Sequence, residues 1–100
     1  MKRIYRYPIT FQKEQEIHIN ALYENGAYIR PRQQVLKVDT IRGIPSIWCL
    51  VDTGACEVKI KLRIYGTGWD IPEDIETRDY LGSFIVEDAE IYHVFIDPNE

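Results

Sequence analysis

One hundred residues fit one domain and leave no room for a second. A content of 45% hydrophobic and 28% charged residues is ordinary for a globular chain and excludes a disordered or fibrous one. The formal charge of −4 (12 basic, 16 acidic) argues against non-specific binding to duplex nucleic acid, and no apolar stretch approaches the ~20 residues of a membrane span.

Eleven of the 12 basic residues lie within positions 1–63, and the remainder is acidic except for Arg78. A chain that is acidic overall but has a basic half is still able to hold a small anion. Lys2, Arg3 and Arg6 interrupt the apolar residues at the start, so no signal peptide is expected and a cytoplasmic location is. Two cysteines, Cys49 and Cys56, are too few for a secreted disulfide scaffold. Cys49 lies in an apolar run and is expected as a small core residue.

Met1 to Ile9 alternates and ends near Pro8, which suits an edge strand. Gln15 to Leu22 alternates again, with Ile17, Ile19 and Ala21 opposite Glu16, His18 and Asn20. The two are expected to pair as a hairpin through Phe11 to Glu14. Asn25-Gly26 is a turn signal, since both residues tolerate positive φ. Ala27 to Gln34, with Pro31 pushing Arg30 away from helix, reads as an extended loop.

Val35 to Ile41 reads as a strand that turns at Arg42-Gly43 into Ile47 to Val51. The second run is apolar at every position and is the candidate central strand, covered on both faces. A loop from Asp52 to Glu57 leads to the cleanest alternation in the chain. Val58, Ile60, Leu62 and Ile64 face one way; Lys59, Lys61, Arg63 and Tyr65 face the other. Gly66-Thr67-Gly68 ends that strand.

Trp69 to Arg78 is acidic, contains Pro72 and has room for one helical turn after it. Tyr80 to Val86 and Glu90 to Ile96 form a last hairpin around Glu87-Asp88-Ala89. The expected fold is therefore a single all-β domain over residues 1–100. It has about seven mainly antiparallel strands in a small sandwich or barrel, with at most one short helical turn. Its core is thin and its edges unpaired, so a homo-oligomer is expected.

Catalytic signals are missing from the sequence. His18 and His93 are isolated, no Cys-x-x-Cys is present, and Ser46 and Ser83 lack a nucleophile elbow. His93 alternates with Ile91 and Phe95 and reads as a core or interface residue. No enzyme activity, cofactor or metal is expected.

The candidate binding segment runs from Lys59 to Trp69. Strand alternation puts Lys61, Arg63 and Tyr65 on one face with Lys59. Gly66, Thr67 and Gly68 form a bend whose N–H groups and hydroxyl suit an anion. Tyr65 and Trp69 offer flat rings on which a base stacks at ~1–3 kcal/mol each. Arg30 and Arg32, near Tyr23 and Tyr28, form a second basic group in which each guanidinium supplies both a fork for phosphate and a plane for stacking. A solvated basic sheet surface is the competing reading of the first segment, and solubility that of the second.

Five stretches carry a family resemblance: Ile4-Tyr5-Arg6-Tyr7-Pro8, Trp48-Cys49-Leu50-Val51-Asp52, Ile64-Tyr65-Gly66-Thr67-Gly68, Tyr80-Leu81-Gly82-Ser83-Phe84 and Tyr92-His93-Val94-Phe95. Through them the chain resembles a family of small phage and prophage proteins of unknown function. Leu22 to Gln34 is longer than that family's usual connection. Small phage proteins of this kind include anti-defence sponges, oligomers that trap cyclic nucleotide signals of bacterial immunity. The resemblance thus implies sequestration of a cyclic (di)nucleotide, without cleavage, in the cytoplasm of a bacterial host. Arg63, Thr67 and Lys61 would hold phosphate, Tyr65 and Trp69 would stack on bases, and Arg30 and Arg32 would close the site. Two alternatives stand beside it. One is a protein-interaction module inhibiting a host enzyme through the surface from Trp69 to Asp79. The other is a single-strand nucleic-acid binder on an OB-like barrel.

Overall fold

The computed structural model describes residues 1–87 and 89–97. Strands β1 (Lys2–Pro8), β2 (Glu14–Asn20), β3 (Tyr23–Glu24), β4 (Ala27–Tyr28), β5 (Val35–Ile41), β6 (Ile44–Asp52), β7 (Glu57–Gly66), β8 (Tyr80–Val86) and β9 (Glu90–Ile96) follow one another along the chain. Every pairing between them is antiparallel. Three form one sheet in the order β1-β6-β5, and four form a second in the order β2-β7-β9-β8. The short β3 and β4 make a ribbon of their own. The sheets are open and stack face to face, so the molecule is a small sandwich and not a closed barrel. Its shortest extent, 17 Å, suits two layers about 10 Å apart.

Alternation decides which residues lie between the layers. Ile47, Cys49 and Val51 point inward from β6, and Ile60, Leu62 and Ile64 point inward from β7. Ile19, Phe84 and Val94 complete the core, so the sides read from β7 and β2 are the sides observed. β6 is the centre of its sheet as its apolar run implies, but it is not covered on both faces as expected, since Trp48 and Leu50 on its other face are only half-buried. Burial pushes the Cys49 thiol up to about 12, making it an inert core group. Both cysteines are free, with Cys56 exposed.

Asn25-Gly26 and Arg42-Gly43 both have positive φ (52°, 83° and 50°, 78°), as a two-residue type I′ hairpin turn requires. The first of these joins β3 to β4, two strands the sequence did not suggest. The last hairpin pairs β8 with β9, although Asp88 of its turn lies outside the described residues.

Two expectations are corrected. β1 and β2 do not form a hairpin: β1 pairs with β6, and β2 with β7. The chain between them crosses from one sheet to the other, with the Ile9 N–H donating to Pro45 O (2.9 Å) and the Ile64 N–H to Lys13 O (2.8 Å). The Gln15 amide fastens this crossing by accepting from the Thr10 N–H and donating to the Thr10 and Gln12 carbonyls. Secondly, Pro31–Gln34 is not extended but forms one helical turn, α1, with Pro31 at its first position where the proline φ is preset. The Gln34 amide is fully buried and donates to the carbonyls of Asn20 and Leu50 (both 3.0 Å), pinning α1 against both sheets. The turn anticipated after Pro72 is a 3-10 turn at Thr77–Asp79.

The edges of the two sheets meet where β5 leans on β8. There a Cβ on Gly82, whose φ is +152°, would lie 2.9 Å from Val38 Cβ and Cγ2. Glycine is thus required at this seam. Gly82→Ala is expected to destabilise the fold by about 1–3 kcal/mol through overpacking and strain. The control Gly54→Ala, whose nearest neighbour would be Asp52 Oδ1 at 3.7 Å, is expected to stay within about 0.5 kcal/mol of the parent. Urea unfolding midpoints of the two variants make the comparison.

Candidate functional site

The outer face of β7 carries the first group of sequence candidates, and the surrounding chain has already engaged most of them. Arg63 is nearly covered (15% of its side chain exposed) and lies between two carboxylates. Its Nη1 donates to both oxygens of Asp74 (3.3 and 3.2 Å), and its Nη2 to Asp97 Oδ2 (3.3 Å). Burial works against the guanidinium charge, but the Tyr65 hydroxyl, Asp97 and Asp74 outweigh it and raise its pKa. Arg63 therefore straps the segment after β7 onto the sheet.

Tyr65 is 1% exposed, packed edge-on against Phe95 with Lys13 Nζ 5.5 Å above its ring. No face is left for a base. Gly66 is buried because Trp69 lies on it: a Cβ there would stand 2.7 Å from Trp69 Cε2. Trp69 in turn meets Tyr92 edge-on, and half of its surface remains exposed. Gly68 takes φ +88° in the bend.

The Thr67 hydroxyl donates to Ile91 O (3.0 Å), so it receives the His93 Nε2–H (2.8 Å). His93 Nδ1 then accepts from the Tyr80 hydroxyl (3.0 Å). His93 does share a face with Phe95, as alternation suggested, but that face is the outer one and not the core. No local pattern marks this Thr67–His93–Tyr80 chain, because its members are brought together only by pairing among β7, β8 and β9.

Three grooves divide the candidates among them. The first, about 330 Å³, holds Lys61 and Arg63 but also Glu14, Glu16 and Asp97, which makes it acidic. The second, about 490 Å³, holds Gly66, Thr67 and Trp69 beside Glu90 and has no cation in its wall. The third, about 430 Å³, is lined by Arg30, Pro31, Arg32, Arg78, Asp79, Ile96 and Asp97. Three arginines line it.

Both carboxylates of the third groove are already engaged. Asp79 is buried and accepts from the Glu76 N–H (3.1 Å), closing the 3-10 turn, and Asp97 is held by Arg63. Arg32 Nη1 donates to Arg78 O (3.0 Å), joining the turn at Thr77–Asp79 to α1. Arg78 pairs through Nε with Glu76 (3.1 Å), and Arg30 lies exposed at the N-cap of α1. Arg78 was missed in the sequence because it stands alone in an acidic stretch, 46 positions from the arginine it joins. Tyr28, 64% exposed, lies two residues before Arg30, within about 7 Å along an extended chain. Its ring meets that of Tyr23 edge-on at 5.0 Å.

The whole chain, residues 1–100, matches the family described as domain of unknown function DUF7352. The chain belongs to the DUF7352 family. Neither the curated proteins nor the solved structures include a match to it. For this DUF7352 chain, the geometry of the third groove is therefore the main guide to function. Among the described residues, no cluster of His, Cys, Asp and Glu is placed to hold a metal ion, and no helix is long and apolar enough to cross a membrane.

Arg63→Ala is expected to release Asp74 and Asp97 together. Stability should fall by about 1–3 kcal/mol, since a largely covered carboxylate loses one of the groups that hold it. Amide exchange followed by mass spectrometry should show residues 70–79 exchanging faster than in the parent, with β6 unchanged. Unchanged exchange there would mean that the strap does not depend on Arg63.

Proposed function

We propose that the domain binds a phosphate-bearing nucleotide, without chemical turnover, in the groove lined by Arg30, Arg32 and Arg78. The presence of these three arginines in the wall of one cavity of about 430 Å³ carries the reading. That volume falls in the range of small-molecule sites, and guanidiniums suit the geometry of phosphate. Arg30 has no carboxylate partner among the described residues, and Arg32 spends one N–H on a carbonyl and keeps the rest of its fork. The exposed Tyr28 supplies a ring for a base beside Arg30.

The resemblance to phage proteins suggests a cyclic (di)nucleotide immune signal as the ligand and sequestration as the purpose. One subunit offers an open groove; a homo-oligomer would enclose the ligand from a second side. In this reading Arg63, Tyr65 and Trp69 support the frame instead of touching the ligand, and Lys61 stands apart on the acidic groove. Binding without turnover is favoured by the His93 ring, both of whose nitrogens are occupied by hydroxyls.

Calorimetric titration with a panel of cyclic mono- and dinucleotides tests the proposal. Arg30→Ala and Arg32→Ala should each weaken binding about ten- to a hundredfold, the loss of one charge-assisted contact of ~1.5–3 kcal/mol. Lys61→Ala, on the acidic groove, should leave it unchanged. A parent protein that binds none of the panel would refute the proposal.

A further inference from the structure

The outer face of the three-stranded sheet is open. Strand register places Ile4 opposite Leu50, and Arg6 and Lys37 on either side of Trp48. Ile4 is 58% exposed, and the Trp48 ring lies with Lys37 Nζ 5.9 Å from its centroid. Lys37 has Asp39 as a partner (3.4 Å), whereas Arg6 donates to Ser46 Oγ (3.3 Å) and meets no carboxylate among the described residues. The centre of this face is thus an aromatic ring flanked by cations, with apolar residues beside it.

The end of the sandwich beyond β7 presents the reverse chemistry. The segment Trp69-Asp70-Ile71-Pro72-Glu73 leaves the end of β7 and reaches the outer face of the four-stranded sheet, where Asp74 meets Arg63. Trp69 and Ile71 are 51% and 43% exposed, and Asp70 and Glu73 are exposed without a cation partner among the described residues. Two carboxylates between exposed apolar side chains complement the Arg6 guanidinium, which has no carboxylate partner among the described residues, beside Trp48 and Ile4.

We infer that the Arg6–Trp48 face of one chain docks the Trp69–Glu73 segment of a second copy, head to tail. Two identical faces meeting about a two-fold axis would set Arg6 and Lys37 against their own copies, whereas unlike faces set cations against carboxylates. An arginine and a tryptophan at the centre are also the residue types that dominate interface energetics. This inference is independent of the ligand reading, since the two faces share no residue with the arginine groove.

Light scattering on two charge-reversal variants tests it. The parent should exceed the mass of one subunit, and Arg6→Glu or the double change Asp70→Lys with Glu73→Lys should each fall to one subunit. Mixed in equal amounts, the two variants should associate again, because the intact segment of the first meets the intact face of the second and the two reversed surfaces are opposite in charge. Ile4→Asp, also on an exposed position, should behave as Arg6→Glu does, and circular dichroism should be parental throughout. A single-subunit parent at millimolar concentration, variants of parental mass, or a mixture that remains unpaired would each overturn the inference.

Discussion

The position of Arg63 between Asp74 and Asp97 decides which surfaces of this domain are free. A guanidinium on the outer face of a sheet is ordinarily available to an anion. Here it is consumed by two carboxylates, one 11 and one 34 positions away. The strap it creates brings the segment after β7 down onto the sheet. The same segment then delivers Arg78 to the groove where Arg30 and Arg32 already stand, with the Arg32–Arg78 hydrogen bond closing the arrangement. One ion pair network thus neutralises a cation in one groove and fastens the segment that carries Arg78 to another.

The frame that makes this possible is a sandwich of two open sheets. Its inner faces are filled by the alternating residues of β6 and β7, and its edges are managed individually. Gly82 lets Val38 approach the backbone at one seam, and the Gln15 amide secures the crossing from β1 to β2. Gln34 ties α1 to both layers, so the arginines of that turn are carried by a buried amide and not by a mobile loop. Function, in this account, rests on two short turns at the end of a sandwich.

Much of the fold was legible because its signals are local. The period-two pattern of β7 named its buried side, the apolar run of β6 named the central strand, and the Asn-Gly and Arg-Gly pairs marked tight turns. What the sequence concealed depends on pairing at a distance. The crossing between β1 and β2 has the same alternation as a hairpin, and only the partners β6 and β7 distinguish the two. Tyr65 has the parity of a solvent-facing residue, yet Phe95 and Lys13 cover it. For the candidate site, the arginines of α1 were visible as a pair, but Arg78 was not, since no local pattern joins positions 32 and 78.

The central claim is that phosphate is recognised by the turns at Arg30–Arg32 and Arg78 and not by the basic strand. Amide chemical-shift mapping of the labelled protein, titrated with a cyclic dinucleotide and with inorganic phosphate, tests this most directly. The account predicts shifts centred on residues 30–34, 78–79 and 97, with little change along 59–68. Shifts confined to Lys61, Thr67 and Gly68, or none at all, would contradict it.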